Sequence, residues 1–115
     1  SQSKAYACKL LENPLNDAGL ALANSAQNGD ATSLADTYTT FATTYEEASK
    51  KITNKEIKES VDQVAAGWRA AADNSGVLKA DPMSMDVQKL EEYQKIMEDL
   101  NAKQTELFDK CEFKH

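Results

Sequence analysis

Apolar residues recur at alternating steps of three and four in four segments of the chain, a spacing typical of helices that bury one narrow stripe. The spacing predicts helices over residues 3–27, 31–52, 54–74 and 83–112. Four unbroken stripes are typical of a helical bundle. The predicted stripes are Cys8, Leu11, Leu15, Ala18 and Leu22; Leu34, Tyr38, Phe41, Tyr45, Ala48 and Ile52; Ile57, Val61, Val64, Trp68 and Ala71; and Leu90, Tyr93, Met97, Leu100, Gln104, Leu107 and Cys111, which Ile96 and Phe108 widen.

Residues that start and stop helices fall between these stripes. Gly29 can take the positive φ that ends a helix, and Asp30 can cap the next one. Thr53 and Glu56 have the spacing of a capping box, which predicts that Thr53 caps the third helix. The Asp-Pro pair at 81–82 predicts that the fourth helix starts there or at the serine two positions on.

Pro14 lies inside the first predicted helix, where it lacks an amide hydrogen and collides with the carbonyl of Leu10. The stripe keeps its phase on both sides of Pro14, which favours a kink within one helix. The alternative is a break, with Asn13 capping a second helical piece.

Short connections predict the topology. Few residues separate the first helix from the second and the second from the third, so the chain must reverse at each connection. We therefore expect a single all-α domain over residues 1–115, an antiparallel up-down-up-down four-helix bundle. The longer connection over residues 74–83 holds Val77, Leu78 and Met83, which either plug the end of the bundle or dock a partner.

The composition bounds the possible partners. The chain has 115 residues, 41% of them hydrophobic, and a formal net charge of -6. Negative charge disfavours nucleic acid and anionic lipid, and no apolar run is long enough for direct membrane insertion. No signal peptide is evident, so the chain is either cytosolic or a form from which a targeting segment or an upstream lipid-anchored tether has been removed.

The two cysteines favour a form from which a targeting segment or tether has been removed over a cytosolic chain. Cys8 and Cys111 lie on the stripes of the first and last helices, at positions that meet at one end of an up-down-up-down bundle. We therefore expect a disulfide between them, with two buried thiols as the alternative. A disulfide persists in an oxidising compartment, which predicts a secreted protein or one anchored to the outer face of a bacterial membrane.

Candidate catalytic chemistry is scarce. His115 is the only histidine and stands at the end of the chain, where we expect it to fray or to be left from a purification tag. Without an internal imidazole, no Ser-His or Cys-His nucleophile pair can form. Metal-ligand spacing, Glu-x-x-His motifs and a glycine-rich phosphate loop are also missing from the sequence. We therefore expect no enzyme, no metal and no cofactor.

Aromatic residues on the stripes are one candidate binding site, because they could line a cavity between the helices, although such residues more often form core. Gln104, the one polar residue in its stripe, could set the helix register, line that cavity or lie near solvent. Gly67 permits a close helix approach beside the largest side chain. The candidate cavity residues are Tyr38, Phe41, Tyr45, Trp68, Tyr93 and Gln104.

The first two helices are a second candidate site, since residues 1–45 hold only six charged side chains. Little charge would have to be desolvated there, and small side chains would let another helix approach closely. Ala35, Thr39 and Ala42 are therefore the predicted partner face, with an ordinary polar surface as the alternative.

The terminal cysteines with four stripes between them, and the run Ala7-Cys8-Lys9-Leu10-Leu11, resemble the small secreted or lipid-anchored helical proteins of actinobacteria. The resemblance covers the layout of the whole chain and implies an envelope location without an assigned activity. WXG-type secreted proteins differ, because they have two helices and this chain reads Gly67-Trp68-Arg69. The haemophore-like proteins of mycobacteria share the terminal cysteines, but here only a Tyr could bind haem iron.

These observations predict a non-enzymatic, extracytoplasmic helical module that binds a protein partner at the cell surface. The alternative is a carrier that holds an apolar small molecule, a lipid or haem between its helices. The sequence leaves the oligomeric state open.

Overall fold

A computed structural model describes residues 2–29, 33–79 and 81–115. Its described part is all-helical, which confirms the prediction of an antiparallel four-helix bundle. Two short 3-10 turns, Ser75–Lys79 and Pro82–Ser84, connect the third helix to the fourth. The four helices are α1 (Lys4–Gln27), α2 (Leu34–Ser49), α3 (Lys55–Asn74) and α4 (Val87–Lys110).

α1 is one unbroken helix that contains Pro14. The alternative of a break at Asn13 is therefore wrong, and the carbonyl of Leu10 lacks its usual amide partner. Ser3 caps the start of α1, where its hydroxyl accepts a hydrogen bond from a first-turn amide at 3.1 Å. Gly29 follows the end of α1 with a φ of 74°, as predicted.

The caps of α2 and α3 differ from the predicted ones. Asp30 lies outside the described residues, and Ser33 caps α2 by accepting a hydrogen bond from a first-turn amide. Asn54 caps α3, since its Oδ1 accepts from the amide of Ile57 at 3.0 Å. The predicted capping box is wrong because the Thr53 hydroxyl has a tertiary partner instead: it accepts from the amide of Gln2 at 3.2 Å.

α4 starts later than predicted, at Val87. Asp81 and Pro82 begin a 3-10 turn, in which the Asp81 carboxylate accepts from the amide of Met83 at 2.9 Å. Asp86 caps α4, because its carboxylate accepts from two first-turn amides at 3.0 and 3.2 Å. The Asp-Pro pair therefore marks a turn in the connection between α3 and α4 and not the start of α4.

One end of the bundle, which we call the closed end, is fastened by the predicted disulfide. Cys8 and Cys111 are bonded, with their Cα atoms 5.4 Å apart. Beside them the Gln2 side chain donates to the carbonyl of Lys51 and accepts from the amide of Thr53, each at 2.8 Å. The core continues from this end along the bundle, and its most deeply buried large side chains are Tyr45, Leu11, Ile52, Ile57, Leu107, Val61 and Val64.

The segment after α4 folds back onto the closed end. The amide of Phe113 donates to the carbonyl of Phe108 and that of Glu112 to Asp109, the two bonds of a Schellman motif. Glu112 therefore takes the left-handed conformation, with a φ of 57°. The rings of Phe108 and Phe113 meet edge to face, and His115 Nε2 lies 2.6 Å from an Asp109 oxygen. His115 is thus held against the fold and not frayed as expected.

The opposite end, which we call the open end, leaves apolar side chains in contact with solvent. Leu22 and Leu34, both predicted stripe residues, are 37% and 41% exposed there, so the stripe prediction is wrong at these positions. Val77 in the α3–α4 connection packs against the core. The other large exposed apolar residues at this end are Leu20, Leu78, Met83 and Val87.

α1 is the helix least tightly packed into the bundle. It lies against α2 and to a smaller extent α3, and within the described residues no Cα atom of α1 comes within 8 Å of one in α4. α3 packs closely on α4, because a Cβ added at Gly67 would lie 2.9 Å from Leu100 Cδ1. The disulfide therefore joins α1 to the end of α4 without close packing along the two helices.

Candidate functional site

The six candidate cavity residues form one connected cluster between α2, α3 and α4. The Trp68 ring stacks on Phe41, with ring centroids 5.0 Å apart, and lies 5.6 Å from the ring of Tyr38. The hydroxyl oxygens of Tyr38 and Tyr93 are 2.7 Å apart and share a hydrogen bond across the core. The rings thus occupy space between the helices and contact one another there.

Gln104, on α4, forms hydrogen bonds with residues of the two other helices in this cluster. Its Oε1 accepts hydrogen bonds from the Tyr45 hydroxyl on α2 and from Trp68 Nε1 on α3, both at 3.2 Å. A shift of α4 by one turn, about 5.4 Å, would separate this oxygen from both donors. The arrangement therefore favours a role for Gln104 in setting the register of α4.

The buried phenols of the cluster are neutral groups. Burial raises the pKa of Tyr45 above its ordinary value of 10.0. Burial also raises the pKa of Tyr93, and the hydrogen bond with Tyr38 adds to that shift. Both hydroxyls are therefore protonated at neutral pH and act as hydrogen-bonding groups.

The cluster is buried on one side and reached by solvent on the other. Tyr38, Tyr45 and Tyr93 are buried, whereas Phe41, Trp68 and Gln104 are partly exposed. Phe41, on which Trp68 stacks, also lines a depression between α1 and α2, so solvent reaches the cluster from this side.

The predicted partner face does not form a free surface. Ala42 is completely buried and Ala35 is partly buried, and only Thr39 is exposed. Ala42 lies one turn before Glu46, whose carboxylate binds the Arg69 guanidinium of α3 at 2.7 Å. The sparsely charged side of α2 at Ala42 is therefore directed toward α3, where small side chains permit close packing, and this part of the prediction is wrong.

A different surface, which we call the α1–α2 groove, runs between the first two helices. Its part nearer the open end has a volume of about 190 Å³ and is lined by Ala18, Ala21, Leu22, Ser25, Thr37, Thr40 and Phe41. Beyond Ala18 and Thr40 it continues into a more open depression lined by Pro14, Asp17, Thr43, Thr44, Glu47, Ala48 and Lys51.

Charge is distributed unevenly along the chain that forms this groove, which Asp17, Glu47 and Lys51 line. Residues 10–49 contain six acidic residues and no Lys or Arg, so this segment carries a formal charge of -6, equal to that of the whole chain. In the described part, Glu46 pairs with Arg69 and Glu47 with Lys50. The absence of Lys and Arg from residues 10–49 is the sequence signal that could have indicated an acidic surface on α1 and α2.

No described helix is both long and apolar enough to cross a membrane. The described residues also contain no group of three His, Cys, Asp or Glu side chains placed to hold a metal ion. The chain matches no protein-family model, no curated protein and no solved structure. Its function is therefore inferred from its own residues.

Proposed function

We propose that the chain is a non-enzymatic, extracytoplasmic helical module that binds a protein partner through the α1–α2 groove. One observation carries the proposal: exposed apolar side chains and the acidic side chains of Asp17 and Glu47 line the same groove. Uncovered apolar surface with a charged border is typical of protein interaction sites.

The disulfide supports the compartment in this proposal. A bond between cysteines 103 positions apart would be reduced in the cytosol of most organisms, whereas it persists outside the cytoplasmic membrane. The resemblance to the small secreted or lipid-anchored helical proteins of actinobacteria supports the same location. Secretion and a lipid anchor upstream of residue 1 are both consistent with it.

A binding role is preferred to catalysis because the polar groups near the aromatic cluster bond one another. Gln104 Oε1 is taken by Tyr45 and Trp68, and Tyr38 is paired with Tyr93. The imidazole of His115 lies at the closed end against Asp109, away from the groove.

Site-specific photo-crosslinking tests the proposal. A benzophenone amino acid would replace Leu22 in the groove or, as a control, the exposed Gln94 on α4. Added to cells of the source organism, the Leu22 probe should crosslink one protein, identified by mass spectrometry and displaced by excess unlabelled domain. Equal crosslinking from both positions, or none from either, would contradict a partner at the groove.

A carrier for an apolar small molecule, lipid or haem is the second candidate function. It is favoured by the partly exposed Phe41–Trp68 pair, in which Phe41 lines the α1–α2 groove. Trp68 is the only tryptophan, so its fluorescence reports directly on this site. A carrier should form a one-to-one adduct with haem or a fatty acid in native mass spectrometry and change Trp68 emission; no adduct and unchanged emission would exclude it.

A further inference from the structure

We infer that the occupant of the α1–α2 groove is a single amphipathic helix of the partner, with an apolar face and Lys or Arg along its edges; this rests on the proposed binding function. The groove's shape, its surface chemistry and its charge each restrict the occupant, and they agree on this class.

The dimensions of the groove suit one helix. Its α1 side runs from Pro14 to Ser25, which corresponds to about 16 Å or three helical turns. Ala18 and Ala21 on this side have short side chains, so another helix can approach the backbone closely. Leu22 and Phe41 supply larger apolar surface at the end of the groove nearer the open end. A helix that docks in an apolar groove does so through its own apolar side chains at positions i, i+3, i+4 and i+7.

The α2 side of the groove is less polar than its threonines suggest. The Thr40 hydroxyl donates to the carbonyl of Asp36 at 2.9 Å, and the Thr44 hydroxyl donates to the carbonyl of Thr40 at 2.8 Å. Thr37 makes the same type of bond to Ser33 at 3.2 Å. These donors are already satisfied within α2, so the threonine methyl groups are available for apolar contact without an unpaired hydroxyl.

Charge selects a basic partner. Asp17 and Glu47 line the groove, and Asp17 makes no ion pair within the described residues. Lys51 is the one basic residue that lines the groove, at the end nearer the closed end. A second copy of this chain would bring another -6 charge to the surface, and an anionic membrane would also be repelled. Lys or Arg side chains on the occupant would instead complement this acidic surface.

A synthetic peptide tests the inference directly. The probe is a fluorescein-labelled peptide of about four turns with Leu on one face and Lys on the other, and its control is a scrambled peptide of the same composition. Fluorescence anisotropy with the oxidised protein should show saturable binding of the amphipathic peptide only. Binding should weaken when NaCl is raised from about 50 to about 300 mM, because salt screens the attraction between the Lys side chains of the peptide and the acidic side chains of the groove.

Matched variants locate the site. Ala21→Lys puts a long cationic side chain into the groove, whereas Ala23→Lys makes the same change on an exposed part of α1 outside it. We expect Ala21→Lys to raise Kd by about tenfold or more, as expected for a central interface contact, and Ala23→Lys to change it by less than about threefold. Asp17→Lys should also weaken binding more than the same change at Asp99 on α4. Circular dichroism spectra and melting curves would show that the variants remain folded.

The outcomes separate this inference from the proposed function. Equal affinity for the scrambled peptide, or equal effects of Ala21→Lys and Ala23→Lys, would overturn the basic helix in the groove. If photo-crosslinking from Leu22 still captured a competed partner, the binding function would stand and only the class of occupant would be wrong. Displacement of the peptide by a neutral apolar molecule but not by salt would likewise overturn the basic occupant and support the carrier.

Discussion

Removal of the Cys8–Cys111 disulfide is expected to lower the free energy of unfolding strongly while leaving most of the helix content in the cold. The bond joins residues 103 positions apart and so restricts most of the unfolded chain. On the chain-entropy model, closing a loop of this size stabilises the fold by about 4.7 kcal/mol at 25 °C. In the folded state no described Cα pair of α1 and α4 lies within 8 Å, so the two helices meet only through longer side chains of the core.

The expected shift in melting temperature is correspondingly large. A chain of 115 residues has an unfolding entropy of about 0.24 kcal/mol/K near 60 °C, at about 2.1 cal/mol/K per residue. The lost stability divided by this entropy predicts that Tm falls by about 20 °C. Helicity in the cold should stay near native, because the close packing of α2 on α3 and of α3 on α4 does not depend on the bond.

Far-UV circular dichroism melts of the oxidised and phosphine-reduced protein measure both quantities. The double variant Cys8→Ala, Cys111→Ala should melt near the reduced protein, and the reductant should not change its Tm. A Tm decrease of less than about 5 °C on reduction would refute loop-closure entropy as the source of stability. Loss of much of the helicity in the cold would refute the independent packing of the helices.

Three further changes test the packing, the turn after α4 and the buried phenols. Gly67→Ala would place a Cβ 2.9 Å from Leu100 Cδ1, and the overpacking should exceed the gain in helix propensity and lower the urea-derived free energy of unfolding by about 1 kcal/mol. Gly19→Ala, with nothing within 4 Å of the added Cβ, should instead raise this free energy by about 0.5–1 kcal/mol. Equal effects of the two changes would contradict the close contact at Gly67. Glu112→Gly removes the side chain from a residue whose backbone φ is 57°, which relieves the steric strain of the left-handed conformation and should raise Tm by a few degrees. A decrease in Tm would argue against strain at this position. Burial raises the folded-state pKa of Tyr45 above 10.0, so its contribution to stability is complete below pH 10.0 and should fall above it by up to about 1.4 kcal/mol per pH unit. Tyr45→Phe should make this decline less steep, and an unchanged slope would count against the shift.

The helices and the disulfide could be predicted because their signals are local or depend only on chain order. The α3 stripe is the clearest case: Ile57, Val61, Val64 and Ala71 are all buried, and Trp68 is partly buried. Cap residues were harder to predict. Thr53 has the capping-box spacing, but a partner 51 positions away takes its hydroxyl, and no local pattern contains that contact.

The candidate site could be predicted only in part. The stripes selected six residues that do contact one another, because residues on the inward faces of antiparallel helices meet between them. The partner face at Ala42 was wrong, because small uncharged side chains suit both an exposed surface and a close helix contact. Only the burial of Ala42 against α3 distinguishes an exposed surface from a close helix contact, and that burial depends on how α2 is rotated about its axis in the bundle.

The sequence by itself determined the elements, their order and the end at which the two sulfurs meet, since helical periodicity and short connections leave little freedom. Only the tertiary structure decided how far α1 stays from α4, that Leu22 and Leu34 remain exposed, and that Asp17 and Glu47 line an apolar groove. These features depend on the relative placement of whole helices. An apolar stripe shows which face of a helix can be buried, but it does not show how much of that face the other helices cover.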